Sequence, residues 1–129
     1  MGWIGEAREF KAWGYTVSHG QLLLRSVGEE RPPGRVDVLF KNVGFVLFDT
    51  TMTVDRIVEA GESDVARVGG PRATAASRTA GRRPFLIAGP SGEGLVIAGT
   101  VAVHEDELGW FEASAFQVRL TGSSAQGVL

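Results

Sequence analysis

The chain has 129 residues, of which 43% are hydrophobic and 22% are charged, and its formal net charge at pH 7 is −2. This composition is typical of a globular domain and excludes global disorder, and the length predicts a single domain over residues 1–129. A weakly acidic chain has no overall attraction for nucleic acid or for an anionic membrane. The sequence contains no cysteine, which excludes disulfides, iron–sulfur clusters, thiolate zinc sites and cysteine nucleophiles.

The N-terminal stretch MGWIGEAREFKAWG does not have the pattern of a signal peptide, because charged residues interrupt it. The longest weakly polar run, at residues 94–103, is too short to span a bilayer. Without a membrane segment or cysteine, the sequence predicts a cytoplasmic protein with no membrane partner.

Two apolar segments near the N-terminus are predicted to form a hairpin. Residues 10–17 (FKAWGYTV) alternate in the period of a half-buried strand, and residues 21–26 (QLLLRS) form a second apolar run. The intervening Ser18, His19 and Gly20 predict a tight turn, in which glycine is free to take a positive φ. The alternative is one continuous strand with a bulge at the glycine.

The middle of the chain predicts a loop, two strands, a segment of mixed character and a second loop. Residues 29–34 (EERPPG) form the first loop because prolines remove backbone donors, and residues 35–41 (RVDVLFK) alternate as a strand. The run FVLF at 45–48 predicts a strand buried on both faces. Residues 54–68 have some helical spacing and predict a short helix or an irregular strand. The small, basic residues 69–83 (GGPRATAASRTAGRR) predict a mobile surface loop.

The last third of the chain again shows strand patterns. The predicted segments are a strand at 84–88, a turn at 89–94, a strand at 95–103 with a bulge or close approach at Gly99, an acidic turn at 104–109, one or two strands within 110–120, and a frayed tail at 121–129. The total of about six to eight short strands predicts a mainly-β domain, an antiparallel sandwich or barrel-like sheet, with room for one short helix. The alternative is an α+β fold with one helix packed on an antiparallel sheet.

The stretches WGYTVSHGQLLLRS and RVDVLFKNVG resemble small, single-domain, uncharacterised proteins of high-GC actinobacteria. The resemblance covers about the first half of the chain, and GLVIAGTVAVHEDELGWFEAS echoes it further on. It implies a β-rich single domain and assigns no activity to any residue.

The glycine-rich stretch GPSGEG at 89–94 is the one candidate for a phosphate cradle. A nucleotide-binding loop needs a helix after its glycines, and a Walker loop also needs Lys followed by Ser or Thr. Here Leu95 and Val96 open a strand instead, so the stretch predicts a hairpin turn. We therefore expect no bound cofactor.

The candidates for catalysis are His19, His104 and Asp37, and those for a metal site are His104, Glu105 and Asp106. The sequence has only two histidines, so a zinc site would need both of them and a carboxylate. Their spacing fits no metal motif, and an isolated histidine has no visible group to orient it as a base. The favoured interpretation is a turn for His19 and a solvated acidic turn for residues 104–107.

The candidates for partner binding are Trp3, Arg72, Arg78, Arg82 and Arg83. The four arginines lie in a stretch without acidic residues and could contact phosphate or an acidic partner. No aromatic residue is interleaved with them, which argues against base stacking and hence against nucleic acid. Trp3 lies in a segment with a weak pattern and suits an interface, where tryptophan is enriched.

Trp13 and Trp110, by contrast, match strand patterns and are predicted to lie in strand cores. The favoured function is a soluble binding or protein-interaction domain without catalytic activity. It would bind an unidentified protein and form a homodimer through an exposed strand edge. The alternative is a small metal-dependent enzyme or metal-binding protein that uses His19 and His104 with nearby carboxylates.

Overall fold

The computed structural model describes residues 2–28 and 34–116 of the chain. Within these residues, eight strands and a helical segment follow in the order β1 (Trp3–Thr16), β2 (Gln21–Val27), β3 (Arg35–Lys41), β4 (Phe45–Leu47), β5 (Thr51–Glu59), α1 (Glu62–Asp64), a π-helical turn (Val65–Gly69), α2 (Gly70–Ser77), β6 (Arg83–Gly89), β7 (Gly92–Ala98) and β8 (Thr100–Asp106). All paired strands are antiparallel, and they form one sheet in the order β4-β7-β6-β5-β1-β2-β3-β8. The predicted single mainly-β domain is confirmed.

The two end strands of this sheet are continuations of strands inside it. β4 follows β3 after a short kink, and β8 follows β7 directly after Gly99. At the junction, the Gly99 amide donates to the carbonyls of Lys41 (2.8 Å) and Asn42 (3.2 Å), and the Gly44 amide donates to that of Ile97 (2.8 Å). The β3–β8 pairing therefore runs on into the β4–β7 pairing. The open sheet curls into a barrel-like shape whose end strands are β4 and β8, and the predicted close approach at Gly99 is confirmed.

The concave side of the curled sheet encloses the main core. Alternate residues of most strands point into it, as the two-residue period of a strand requires. The buried members are Trp3, Phe10, Leu22, Leu24, Val36, Val38, Phe40, Met52, Val54, Ile57, Phe85, Ile87, Val96, Ala98 and Val101. Trp3 packs edge-to-face on Phe10, with ring centroids 5.3 Å apart. Trp3 belongs to this core and is 9% exposed, so only a small part of its side chain is open to a partner.

The helical segment between β5 and β6 packs on the outer face of β7. Val65 and Ala73 are buried there against Leu95 and Ile97. A Cβ added at Gly69 would lie 2.3 Å from the Cβ of Ala73 and 2.8 Å from a methyl group of Leu95. Glycine at this position therefore lets the π-helical turn, α2 and the sheet approach one another closely.

Two predictions for the middle of the chain are resolved by this packing. For residues 54–68 the sequence predicts a short helix or an irregular strand. The structure contains one of each, since β5 continues to Glu59 and the helix begins at Glu62. Residues 70–77 of the predicted mobile loop form α2 instead. Alanine favours helix, and Ala73 is small enough to pack flat on the sheet. The sequence does not predict this helix because its small residues carry no strong hydrophobic signal.

Two further predictions are corrected at the sheet edges. The run at 45–48 is not buried on both faces, because β4 is an end strand, and Val46 and Leu47 are 42% and 44% exposed. β8 extends through Asp106, and residues 107–116 form turns and bends rather than a strand. Residues 29–33 of the first predicted loop, residues 117–120 and the predicted tail at 121–129 lie outside the described residues.

Two predicted turns are confirmed. The turn at 18–20 joins β1 to β2, with φ of 59° at Gly20, whose amide donates to the Val17 carbonyl at 3.3 Å. Gly89 and Gly92 are partners across the β6–β7 hairpin, so a strand and not a helix follows the glycine-rich stretch. Within the described ranges, no helix has the length and apolar character needed to cross a membrane.

Candidate functional site

The outer face of β2, β3 and β8 carries a row of buried charged side chains. The strand register places Arg25 opposite Asp37, Asp37 opposite His104, and Arg35 opposite Asp106. Directly paired residues project to the same face of a sheet, so these groups are brought together from three strands. The side chains of Arg25, Arg35 and Asp37 are each 2% exposed or less. We call Arg25, Asp37, Arg35 and Asp106 the arginine–aspartate ladder.

Each arginine of the ladder binds one carboxylate in a two-pronged contact. Arg25 Nε and Nη2 donate to the two Asp37 oxygens at 2.7 and 3.0 Å. Arg35 Nε and Nη2 donate to the two Asp106 oxygens, both at 2.8 Å. This fork geometry is the strongest form of the arginine–carboxylate interaction and compensates the buried charges. The Arg35 hydrogen bonds also lower the pKa of Asp106 below its usual value, against the opposing effect of partial burial.

The remaining guanidinium hydrogens of the ladder hold the chain that follows β8. Arg25 Nη1 donates to the carbonyls of Trp110 and Glu112. The carbonyls that accept from Arg35 are those of Gly109 (2.9 Å), Glu112 (2.7 Å) and Ala113 (3.0 Å). With its two bonds to Asp106, Arg35 uses all its N–H donors. We call residues 109–113 the anchored segment.

The anchored segment presents aromatic rings beside β1. The ring centroid of Trp13 lies 5.4 Å from that of Trp110 and 5.6 Å from that of Phe111. The Arg25 guanidinium lies 5.4 Å from the Trp13 centroid, and the Lys11 ammonium lies 5.5 Å from that of Trp110. Phe111 is 90% exposed, whereas both tryptophans are half-buried. We call Trp13, Trp110 and Phe111 the aromatic surface.

This placement corrects the expectation that Trp13 and Trp110 lie in strand cores. The β1–β2 register shifts between Ala12 and Gly14, so Trp13 occupies a bulge. Because Phe10 faces the main core, the two-residue period of β1 places residue 13 on the outer face, where Trp13 packs next to Leu23. Trp110 lies in the anchored segment rather than in a strand.

Exposed carboxylates accompany the aromatic surface. Glu9 lies two residues before Lys11 on β1 and forms an ion pair with it at 3.6 Å. Glu112, the neighbour of Phe111, is exposed in the anchored segment, whereas the carboxylate of Glu107 lies beside Gly34 at the start of β3. Lys11 balances Glu9, so Glu112 is the unpaired carboxylate next to Phe111 among these residues.

The structure separates the two histidines. His19 lies in the β1–β2 turn, where its Nδ1 is 3.1 Å from Ser18 Oγ, and both side chains are exposed. His104 lies on β8, opposite Asp37, with its Nε2 3.4 Å from an Asp106 oxygen. At a rise of about 3.3 Å per strand residue, the two imidazoles are roughly 15 Å apart or more. His104 and Asp37 are thus brought together, and His19 is not.

The predicted metal candidates do not converge either. His104, Glu105 and Asp106 are consecutive on β8, so Glu105 points to the opposite face from the other two. Asp106 is bound by Arg35 on both oxygens. In residues 2–28 and 34–116, no group of three or more His, Asp and Glu side chains is arranged to hold a metal ion.

The four arginines proposed as candidates for partner binding have different environments. Arg82 donates to the backbone and side chain of Asn42, at 3.2 and 3.1 Å, and Arg83 pairs with a β5 carboxylate at 3.4 Å. Arg72 and Arg78 are exposed on or just after α2. The helix thus distributes the positive charges over separate parts of the surface.

The Asp106–Arg35 pair predicts a pH dependence of stability. Because the pKa of Asp106 is lowered by folding, its ion pair stabilises the fold above the ordinary aspartate pKa of about 4, and that contribution is lost as the pH falls below it. Asp106→Asn is expected to lower the free energy of unfolding at pH 7 by about 1–3 kcal/mol. We expect the difference in free energy of unfolding between this variant and the native protein to shrink as the pH falls from roughly 5 to roughly 2. Urea unfolding at several pH values measures it. Equal differences at both ends of that range would contradict the assignment.

The fold and its surface define a single mainly-β domain with an anchored cluster of surface aromatic residues. Comparisons with protein-family models, with curated proteins and with solved structures find no match to this chain. The functional proposal below therefore rests on the geometry of the described residues.

Proposed function

We propose that this protein is a protein-interaction domain without catalytic activity, and that its aromatic surface binds an arginine-containing segment of a partner protein. The observation that carries the proposal is the exposure of Phe111 on a segment fixed by two buried arginines. An exposed aromatic ring gains little in the free protein, but it contributes a large contact area when a partner covers it.

The anchoring supports binding because it removes a cost of association. A flexible loop would lose conformational entropy when a partner fixes it. Here Arg25 and Arg35 donate to carbonyls along residues 109–113, so the backbone that carries Trp110 and Phe111 is already ordered. Rigid aromatic side chains of this kind are typical of the energetically dominant residues in protein interfaces.

The charges favour an arginine as the partner's main contact. Trp13 and Trp110 already contact one cation each, Arg25 and Lys11, so the 90% exposed ring of Phe111 is the face proposed to take the partner's cation. The exposed carboxylate of Glu112, next to Phe111, supplies an acceptor for a guanidinium, which stacks on aromatic rings and binds carboxylates at the same time. The net charge of −2 adds a weak long-range attraction for a basic segment.

The test uses a short peptide of alternating arginine and glycine, compared with the same peptide carrying glutamate in place of arginine. We expect the arginine peptide to bind at low ionic strength and Phe111→Ala to weaken it by about fivefold or more, roughly 1 kcal/mol. The matched control is Val17→Ala, another exposed apolar residue, at 84% exposure. Isothermal titration gives the affinities. Equal affinities of the two variants, or no preference for arginine over glutamate, would refute the proposal.

A second contact is proposed for the edge of β4, as the location of the homodimer that the sequence predicts through an exposed strand edge. Val46 and Leu47 are exposed on this end strand. If two β4 strands pair antiparallel about Val46, Asp49 of one copy lies near the kink of the other, where Arg82 is held against Gly44. The apolar centre and the opposite charges at its ends make the edge self-complementary.

Sedimentation velocity over a range of concentrations tests this dimer. The native protein is expected to shift from monomer to dimer, and Leu47→Lys is expected to remain monomeric because it places a charge at the pairing edge. Ile4→Lys, at an exposed position of β1, is the matched control and should still dimerise. A native protein that stays monomeric at every concentration would exclude the dimer. Equal effects of Leu47→Lys and Ile4→Lys on dimer formation would exclude β4 as its interface.

A further inference from the structure

A cleft of about 500 Å³ opens between the helical segment and the start of β6. Its apolar wall includes Val65 from the π-helical turn and Pro84 from β6. Its polar rim includes Glu62, Thr74 and Arg78, which come from the two ends of the helical segment. The cleft is separate from the aromatic surface and takes no part in the proposed function.

Arg78 is a cation of this cleft that no carboxylate of the described residues contacts. Neighbouring arginines have acidic partners, since Arg67 binds both Asp64 (2.8 Å) and Glu93, and Arg83 binds a β5 carboxylate (3.4 Å). Within the part of the chain that the structure describes, the side chain of Arg78 has neither an ion pair nor a hydrogen bond. Its guanidinium therefore remains available to an anion from solution.

The other polar groups of the cleft restrict which anion fits. Thr74 Oγ1 donates to the Gly70 carbonyl (3.1 Å) and Ser77 Oγ donates to the Thr74 carbonyl (2.8 Å). Because their protons are already used, these hydroxyls have no donor left for an anion. Glu62 adds a negative charge at the rim, which disfavours a second charge on the ligand. These features select a singly charged anion whose one strong contact is Arg78.

The backbone of the cleft wall is itself unusual. Residues 65–69 form a π-helical turn, which ends at Gly70, where φ is 75°. π-Helical turns are rare and are found frequently at functional sites. Val65 at the start of this turn and Arg78 directly after α2 both line the cleft.

We propose that this cleft binds a small monocarboxylate with an apolar body. The Arg78 guanidinium binds the carboxylate, and Val65 and Pro84 contact the apolar body. Small-molecule sites commonly combine an apolar wall with a few polar groups that orient the ligand, and the cleft has this composition.

The experiment is a two-dimensional NMR titration of the full-length protein with benzoate, following the backbone amides of Val65 and Thr74. We expect saturable shifts, a loss of affinity of about fivefold or more in Arg78→Gln, and tighter binding in Glu62→Gln. Arg72→Gln is the matched control, because Arg72 is an exposed α2 arginine that does not line the cleft. Absence of saturable shifts, or equal effects of the two arginine variants, would overturn the proposal.

Inorganic phosphate is the second probe at neutral pH. It lacks an apolar body and carries more negative charge, so we expect it to bind more weakly than benzoate. Phosphate binding as tight as that of benzoate would overturn the assignment of a monocarboxylate. Failure of the arginine peptide at the aromatic surface would leave this result unaffected, because the two sites share no residue.

Discussion

Asp37→Ala is expected to lower the free energy of unfolding by about 3–5 kcal/mol, the typical cost of removing one partner of a buried ion pair. Asp37 is fully buried and accepts both hydrogen bonds from Arg25, whose side chain is 2% exposed. The substitution leaves this guanidinium buried without its counter-charge. It also removes a carboxylate oxygen 4.0 Å from Arg35. Urea unfolding followed by circular dichroism measures the change.

Two further variants separate the loss of charge compensation from other effects. Asp55→Ala removes the acid of an exposed pair with Arg56 and should change stability by about 0.5 kcal/mol or less. The double variant Arg25→Met/Asp37→Leu removes both buried charges and should be more stable than Asp37→Ala alone. If Asp37→Ala costs no more than Asp55→Ala, the ladder does not support the fold in the way described.

Phe40→Ala is expected to destabilise the protein by about 3–5 kcal/mol, because it opens a cavity in the main core. Phe40 is fully buried, and its ring centroid lies 5.8 Å from that of Phe85 across the inside of the sheet. Phe111→Ala deletes the same atoms from an exposed side chain and should stay within about 0.5 kcal/mol of the native protein. Thermal and urea unfolding compare the two. Similar stabilities would contradict the curled sheet with Phe40 inside it.

Much of the sheet follows from local pattern. The alternation in RVDVLFK predicts β3, because successive side chains of a strand point to opposite faces of the sheet. The apolar runs predict β2, β6 and β7. The glycines at 20 and 99 mark a turn and a close approach, where local backbone geometry requires a small residue. These are properties of short segments, so one sequence is enough to predict them.

The candidate site depends instead on contacts between distant segments. Arg35 and Asp106 are 71 residues apart and meet only because β8 pairs with β3. The charges of Arg25 and Asp37 are visible as interruptions of apolar strands, but the pattern does not give the register that joins them. The alternation around Trp13 does not show which of its two faces is the core, and in the structure Phe10 faces the inside and Trp13 the outside.

The helical segment illustrates a different limit of sequence pattern. Its contacts with the sheet come from Ala73 and from the space that Gly69 leaves, and neither residue carries a strong hydrophobic signal. Small residues form such contacts when two backbones approach closely, which is a property of the whole fold. The same approach forms one wall of the cleft that contains Arg78.

The most direct test of the aromatic surface uses the indole N–H signals of the three tryptophans in a two-dimensional NMR spectrum. Trp13 and Trp110 belong to the proposed binding surface, whereas Trp3 lies in the main core and serves as an internal control. On titration with the arginine–glycine peptide, the signals of Trp13 and Trp110 should shift together and saturate, and that of Trp3 should not move. Unchanged Trp13 and Trp110 signals, or a shift confined to Trp3, would contradict the proposed function.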